Sequence, residues 1–343
     1  MKAGLFVSFA LVVLTATSVA AQTGVDTQRC PTGTVSGPLN IPDQDRASQD
    51  ACQKALDVFK YIAPQLGVSI TGGNATLGQT GNLGGLGHFS VGLRFNLVEG
   101  SLPQVQNITP SVNGAQSDRF ETKSQVFPMP VLDAAFGVFK GIPLALTNVG
   151  GIDLLVNAAY VPEFSNSGVD VKVPNGSLKF GYGARLGILQ ESLLIPGVSV
   201  SYLVRDLPTV NLVGHTGGDS LYANNLSLKT KAWRVVAGKN LLIFGIAAGF
   251  GQDKYDASTD IGVHVAARTV PPVPATNAGP VAMSQTLTRT NIFGDLSMNL
   301  LVFKLNAEIG QVSGGTINTF NTFSGTQPAD SRLYGSLGAR IGF

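Results

Sequence analysis

Hydrophobic and polar residues alternate with a period of two along much of the chain after residue 66. Between His88 and Leu97, apolar side chains occupy the odd positions, and polar or small side chains occupy the even ones. The same alternation recurs over 178–188 and 242–251, and similar patterns run through 152–160, 198–205, 290–298 and 303–310. Because successive side chains of a β-strand point to opposite faces, this pattern predicts strands with one apolar and one polar face.

Such strands could belong to a soluble sandwich or to a membrane barrel, since both alternate. Two features favour the barrel. The polar faces are rich in glycine mixed with single charged residues, and the apolar faces carry Phe, Tyr and Leu. The strands also have about ten residues, the length that a tilted membrane strand requires. The chain is therefore predicted to be all-β, a single antiparallel up-and-down transmembrane β-barrel.

The alternating segments can be counted back from the C-terminus. Strands are predicted near 330–343, 302–313, 286–300, 241–256, 222–238, 197–212, 177–190, 150–161, 128–140, 85–98 and 66–76. Because a barrel with both termini in the periplasm has an even number of strands, a further strand is expected within 100–126. The prediction is about twelve strands, with ten to fourteen as the range, over residues 66–343. Around Trp233 the apolar residues move from one set of alternate positions to the other, which predicts a β-bulge.

One stretch departs from the two-residue period. From residue 43 to 63, apolar residues recur at helical spacing after a proline and an acidic first turn, which predicts an amphipathic helix. Such a helix must bury its apolar face. Residues 22–65 are therefore expected to form an N-terminal helical segment, which lies in the barrel lumen as a plug or at the periplasmic rim.

Residues 1–21 have the form of a secretory signal peptide. Lys2 precedes an apolar stretch from Leu5 to Leu14, and small residues before and at Ala21 offer a cleavage site. The apolar stretch is shorter than the roughly 20 residues that span a bilayer as a helix, so the mature chain is expected to be exported. In the oxidising periplasm, Cys30 and Cys52 are then expected to form a disulfide rather than a metal site.

Composition and charge narrow the classes of partner. The chain has 42 Gly, 13% charged residues and a mean hydropathy of +0.22, which describes an apolar chain with many turns. Its net charge is +2, and no Lys/Arg cluster follows a helix, so a nucleic-acid partner is not expected. His88, His215 and His264 are too widely spaced to predict a metal site, and no cofactor is expected.

The final strand carries the most specific signal. Leu333, Leu337, Ala339, Ile341 and Phe343 share one face, opposite Arg332, Tyr334, Ser336, Gly338 and Arg340. This pattern resembles the Gram-negative outer-membrane β-barrel proteins, whose last strand ends in an aromatic residue preceded by apolar residues at alternate positions. The resemblance implies insertion among outer-membrane lipids and recognition of Phe343, Ile341 and Tyr334 by the barrel-assembly machinery.

The segment before the first strand adds a looser resemblance. In architecture the chain is similar to the long-chain fatty-acid transporter family, whose N-terminal residues form a hatch inside the barrel lumen. The resemblance implies a transport function, and no residue roles are carried over from that family.

Charged residues on the polar faces are the candidate functional groups. The predicted inward-facing set is Arg94, Lys179, Arg185, Arg205, Arg289, Lys304, Arg332 and Arg340, with Asp133, Asp153, Asp295 and Glu308. Basic residues outnumber acidic ones, and such charges would focus the potential of a narrow passage and attract anionic solutes. The alternative is that the charges pair into ion networks that fill a small barrel.

These observations rank three functions. The preferred one is an outer-membrane channel or transporter for passive passage of small solutes, anionic or amphipathic. The alternative is a plugged barrel without transport, with a structural or surface-interaction role. The third is a membrane-embedded hydrolase, which would rest on His88 and Ser90 on one strand face. We do not expect an enzyme.

Overall fold

The structure is a computed structural model that describes residues 23–31, 41–105, 109–144, 146–165, 168–269, 272–273 and 275–342. The predicted signal peptide, residues 1–21, and the terminal Phe343 lie outside these residues. Within them, one α-helix, α1 (Ile41–Thr71), precedes the strands.

Ten long strands of the described residues form the barrel wall. They are β1 (Phe89–Pro103), β2 (Thr122–Phe139), β3 (Gly151–Tyr160), β4 (Leu178–Leu189), β5 (Gly197–Asp206), β6 (Asp219–Leu241), β7 (Phe244–Val265), β8 (Thr276–Leu300), β9 (Phe303–Ser313) and β10 (Arg332–Gly342). Each pairs antiparallel with the next. β10 pairs with β1, with Ile341 opposite Val91, so the sheet closes on itself and leaves no edge within the ring.

Short strands extend the two ends of the wall. Arg119–Phe120 pairs in parallel with Thr322–Phe323, and Ile142–Leu144 pairs with Thr147–Val149. Val210–Thr216 follows β5 and pairs with β6 and with Val169–Lys172, which in turn pairs with Phe164–Ser165. Arg268–Thr269 pairs with Pro272–Val273.

The two ends of the barrel differ in their connections. At one end, tight turns join β6 to β7 at Leu241–Phe244 and β8 to β9 at Leu300–Phe303. At the other end, longer connections run over 104–121, 161–177 and 314–331. Since outer-membrane barrels have short periplasmic turns and longer outer loops, the first is the periplasmic end, here called the turn end. The second is the outer end.

Strands β6, β7 and β8 are longer than a bilayer requires, at 23, 22 and 25 residues against roughly 9–11 for a tilted membrane strand. Nearer the turn end their outward side chains are apolar: Ile246, Phe250, Ile292 and Leu296. Nearer the outer end their outward side chains are polar: Lys229, Lys231, Lys254 and Thr288. The change occurs at Trp233 and Phe250, whose rings meet edge to face with centroids 6.0 Å apart.

Inward side chains of the same strands change in the opposite sense. Nearer the turn end they include Asn291, Asp295 and Ser297, and nearer the outer end they include Leu228, Tyr255, Ile261 and Leu287. The strands therefore invert their polarity where they leave the bilayer. Aromatic residues mark this boundary around part of the wall, as an aromatic girdle does in outer-membrane barrels: Tyr160, Tyr182, Tyr202, Trp233 and Phe250.

The closed antiparallel wall and its apolar outer band make the protein a transmembrane β-barrel of the bacterial outer membrane. Among the described residues, no helix has the length and apolarity needed to cross a bilayer.

Helix α1 lies inside the ring, where it contacts β1, β5, β6, β7, β8 and β10. Its first turns are at the outer end, since the Gln44 amide donates to the Ala275 carbonyl and the Ser48 hydroxyl to the Asn277 carbonyl. Pro64 lies within the helix and cannot donate to the Lys60 carbonyl. The Gln285 amide of the barrel wall lies 3.5 Å from that carbonyl.

The fold confirms the antiparallel up-and-down barrel with an N-terminal helical segment, and its ring of ten strands lies within the predicted range of ten to fourteen. The strand expected over 66–76 is wrong, because the helix continues to Thr71. Leu66 and Ile70 satisfy the helical period as well as the two-residue period. Within 100–126, β1 continues to Pro103 and β2 begins at Thr122. The described residues between them contain the short strand Arg119–Phe120, which pairs outside the ring, and no further strand of the wall.

The bulge expected around Trp233 is wrong too. Pairing of β6 with both neighbours runs unbroken across Trp233, and the nearest shift in register lies between Asn224 and Ser227. The apolar residues change face near Trp233 because the strand inverts its polarity there. Lys229 and Lys231 face outward, above the bilayer. The disulfide between Cys30 and Cys52 is confirmed, with their Cα atoms 5.7 Å apart.

Candidate functional site

Most of the predicted lumenal charges lie on the inner face of the wall. Those that are buried there are Arg94, Arg185, Arg205, Arg289, Arg332, Arg340, Asp133, Asp153, Asp295 and Glu308. Lys304 is half-buried near the turn end. Lys179 is exposed, although it lies opposite the buried Ala159 in the inward-facing register of β4. It is the second residue of β4 and follows the connection 161–177 at the outer end.

The lumen is occupied by the N-terminal part of the chain. We call residues 41–88 the plug: helix α1 followed by an irregular segment, residues 72–88, that leads to β1. Residues 72–78 of the irregular segment are all buried. The candidate functional site is therefore the contact between the plug and the inward charges.

Three arginines of the wall meet the C-terminus of α1. Arg205 Nη1 donates to the carbonyls of Ile70 (3.0 Å) and Thr71 (3.2 Å), and Arg234 Nη2 donates to the Thr71 carbonyl. Arg94 Nη1 donates to the Gly72 carbonyl at 2.6 Å. The last carbonyls of a helix have no partner within it and carry the negative end of its dipole. Since α1 has no basic residue in its last turn, the barrel wall supplies the cations that cap it.

Below the helix, inward charges hold the irregular segment by its backbone. Arg340 Nη2 donates to the Ala75 carbonyl at 2.6 Å, and Lys304 Nζ donates to the Gly78 carbonyl. Acidic residues accept in return: Glu308 from the Asn74 amide at 3.0 Å and Asp153 from the Leu83 amide at 3.1 Å. These charges are used to bind the plug.

Ion pairs within the wall neutralise much of the remaining charge. Arg94 Nε lies 2.7 Å from Asp133 Oδ2, and Arg185 Nη2 lies 2.7 Å from Asp153 Oδ2. Arg234 approaches Asp253 at 3.5 Å. Every one of these side chains is almost fully buried. The arrangement matches the alternative that the charges form networks which fill the barrel.

Several residues of this network escaped the sequence prediction. Arg234, Asp253 and Asn291 were not assigned to the lumen, yet all three are buried there. Tyr334 donates to Asn291 Oδ1 at 2.9 Å and to Glu308 Oε1 at 2.8 Å. Arg234 was missed because the expected bulge at Trp233 broke the phase. Counting back from Val236 in steps of two, without regard to the outward-facing Lys229 and Lys231, would have placed Arg234 on the inward face.

Two glycines let the irregular segment pass close to the wall. Gly73 has a φ of +75°, and a Cβ there would lie 2.4 Å from both Arg94 Nη1 and Ser336 Oγ. Gly78 has a φ of +73°, and a Cβ there would lie 1.9 Å from Asn306 Oδ1. Both the left-handed backbone and the close approach require glycine at these positions.

The outer end of the plug is held by the outer loops. Asp57 Oδ2 accepts from the amides of Phe320 (3.1 Å) and Asn321 (2.8 Å), in the connection 314–331. Asp50 accepts from the amides of Ser111 (2.7 Å) and Gln116 (2.9 Å), in the connection 104–121. The polar face of the helix is therefore buried by the outer loops.

An aromatic stack joins the same elements. The Tyr61 ring of α1 lies 4.3 Å from Phe323, and Phe323 lies 5.3 Å from Phe120, measured between centroids. Beside this stack an apolar cavity of about 70 Å³ remains, lined in part by Ala55, Val58 and Leu221. Its volume is well below the roughly 300–1,000 Å³ of ordinary ligand pockets.

The two residues considered for hydrolysis, His88 and Ser90, are not hydrogen-bonded to each other in the described structure. Ser90 Oγ is buried and has no hydrogen-bond partner among the described residues. His88 is exposed, and its Nδ1 lies 3.3 Å from the Gly85 carbonyl oxygen.

Comparisons with known proteins give likeness of fold alone. No protein-family model and no curated protein matches the chain. Among solved structures, the outer membrane protease OmpT from Escherichia coli is 6% identical, with a TM-score of 0.34, over 75% of this chain and 96% of that chain. The attachment invasion locus protein Ail of Yersinia pestis is 10% identical, with a TM-score of 0.20, over 75% and 99%.

A third solved structure, the toluene transporter TodX of Pseudomonas putida, is 10% identical, with a TM-score of 0.24, over 80% of this chain and 92% of that chain. At these identities and scores, none of the three indicates what this chain does. The predicted similarity to the long-chain fatty-acid transporter family stays a prediction.

Proposed function

We propose that the protein is a plugged outer-membrane barrel that acts at the cell surface through its outer end and does not conduct solutes at rest. The observation that carries the proposal is the capping of α1 by Arg94, Arg205 and Arg234. In an open anion path these guanidinium groups would face water. Here they bind backbone carbonyls of the plug.

The construction of the outer end supports a role in surface interaction. Strands β6, β7 and β8 rise well beyond the bilayer. The aromatic stack and the buried Asp50 and Asp57 hold the outer loops on the helix, and the disulfide ties the segment before the helix to it. The Thr23 amide donates to the Thr319 carbonyl at 3.1 Å, so the segment before the helix also lies at this end. Such a surface is preorganised, which lowers the entropic cost of binding a partner.

A second candidate is passage of solutes after the plug moves. One observation favours it: the irregular segment, at the height of the bilayer, is held largely by hydrogen bonds rather than by apolar packing. Hydrogen bonds can be exchanged for bonds to water or to a solute at little net cost.

Single-channel recording in planar bilayers tests the proposal. The wild-type protein is expected to show no discrete openings, because the plug fills the lumen. The variant Arg205→Gln/Arg234→Gln leaves the helix C-terminus without two of its three cations, so transient openings are expected. Stable openings of constant size in the wild-type protein would overturn the plugged state in favour of transport.

The matched control is Lys229→Gln/Lys231→Gln, which removes the same charge from the outer face of β6. It should remain as silent as the wild-type protein. Both variants are first checked for the folded barrel by the shift in gel mobility that heating produces. Openings in the control as well would show that the loss of charge, and not the loss of the cap, opens the barrel.

A further inference from the structure

The two tightest turns at the turn end share one sequence pattern. β6 and β7 are joined by Leu241-Leu242-Ile243-Phe244, and β8 and β9 by Leu300-Leu301-Val302-Phe303. Turn tips that project into water are usually polar or glycine-rich. Neither of these turns contains a polar residue or a glycine.

Both turns also place leucine where the backbone disfavours it. Leu242 and Leu301 each have a φ of 54°, in the left-handed region that two-residue hairpin turns normally give to Gly, Asn or Asp. The Leu242 side chain is 98% exposed, and that of Leu301 is fully exposed. Among the residues that the structure describes, no contact therefore compensates for the strained backbone or for the apolar surface left in water.

Other connections at this end repeat the pattern. Exposed aliphatic side chains occupy the connection between β2 and β3 and the one between β4 and β5: Ile142, Leu144, Leu193 and Leu194. The apolar tips therefore occur on several sides of the ring. A large exposed apolar surface of this kind marks contact with a partner or with a membrane.

The apolar tips continue the lipid-facing wall. Phe244 and Ile246 follow the first turn on the outer face of β7, and Phe303 and Leu305 follow the second on β9, all of them exposed. On β7, β8 and β9 the outer face stays apolar from the wall to the tips. On β6 one polar residue intervenes: Lys239, which lies opposite Ile246, is half-buried and donates to the Ser192 carbonyl. A partner protein would be expected to cover one side, whereas lipid covers a wall and its rim all round.

We propose that the turn end lies inside the bilayer, with Leu242 and Leu301 inserted among the acyl chains of the inner leaflet. The occupant of this surface is lipid. The leucines then act as anchors that set the depth of the barrel, and the free energy of burying them offsets the left-handed backbone. The outer end, which is polar on its outside, stays in water.

Fluorescence quenching tests the depth of the tips. The chain has one tryptophan, so Trp233→Phe provides a silent background into which Leu242→Trp is introduced. In vesicles of phospholipid brominated along the acyl chains, the new tryptophan should be quenched by bromine and protected from aqueous iodide. The control, Ser284→Trp in the same background, lies on the outward face of β8 near the outer end and should show the reverse.

Quenching of the Leu242→Trp residue by iodide, without quenching by bromine, would place the tip in the periplasm and overturn the proposal. Protection from both quenchers would mean that protein covers the tip, which would also overturn it. Repeating the measurement at several protein-to-lipid ratios identifies a second copy of the chain as the cover.

A second experiment keeps the inference testable if the tryptophan perturbs the turn. Leu242→Asn/Leu301→Asn suits the left-handed backbone but shortens the apolar height of the barrel. Across phosphatidylcholine vesicles of increasing acyl-chain length, the folded fraction of this variant should peak at shorter chains than that of the wild-type protein. Leu242→Met/Leu301→Met keeps the apolar height and should leave the peak in place. An unchanged peak in the Asn variant contradicts lipid insertion.

Discussion

Strands β6, β7 and β8 each have two halves, in which the inward and outward side chains have opposite polarity. In the half nearer the turn end, Leu296 faces lipid and Asp295 faces the lumen. In the half nearer the outer end, Thr288 faces water and Leu287 faces the lumen. Alternation alone therefore does not distinguish inside from outside, because the apolar face follows whichever side lacks water.

The plug follows the same division. Beyond the bilayer the wall encloses helix α1, whose Leu56 and Phe59 pack in one apolar cluster with wall residues such as Leu228 and Tyr255. At the height of the bilayer the wall encloses the irregular segment, which is held by hydrogen bonds to charged side chains. Irregular backbone is tolerated at this depth because it is buried in protein and not in lipid.

The largest expected effect breaks the apolar cluster in the outer half. Leu287→Asp places a carboxylate in this apolar cluster and should lower the free energy of unfolding by about 4 kcal/mol. Thr288→Asp, one residue along on the outer face, should change it by less than about 0.5 kcal/mol. Denaturant unfolding in vesicles measures both. Equal effects at the two positions would mean that the outer half has no apolar interior.

A smaller effect is expected on the lipid face of the other half. Leu296→Lys exposes an ammonium group to acyl chains and should cost about 3 kcal/mol, as such changes do near the bilayer midplane. Ser284→Lys lies on the same face of β8, nearer the outer end, and should be nearly neutral. The same unfolding titration reports both values. A comparable cost at Ser284 would place the membrane boundary beyond the Trp233 level.

The smallest effect is expected at the contact between the plug and the wall. Gly73→Ala meets both a left-handed φ and the side chains of Arg94 and Ser336, and should cost about 2 kcal/mol. Gly150→Ala has a similar φ, +73°, with open space around it, so it should cost only about 1 kcal/mol. Thermal unfolding of the two variants measures the difference. Equal melting temperatures would show that the wall yields to the added methyl group.

The local patterns of the chain were sufficient to predict the barrel, the lipid-facing residues near the turn end, the disulfide and the presence of a lumenal or rim helix. The alternation of apolar and polar residues near Phe89 and along β10 follows from the pleat of a strand and a lipid exterior alone. The helical period after residue 43 is similarly local, because its apolar face appears within a few turns. The pairing of Cys30 with Cys52 needed only an oxidising compartment and the absence of other cysteines.

The end of the helix, the number of strands and the partners of the lumenal charges depended on tertiary structure. Leu66 and Ile70 fit a strand and a helix equally well, and only the surrounding wall, with its arginines at Thr71, selects the helix. The wall charges were visible as a set, but their partners are backbone carbonyls, which leave no mark in a sequence. Which face of a strand is apolar likewise depends on whether that face meets lipid, water or the plug at a given height. These surroundings exist only once the barrel has closed.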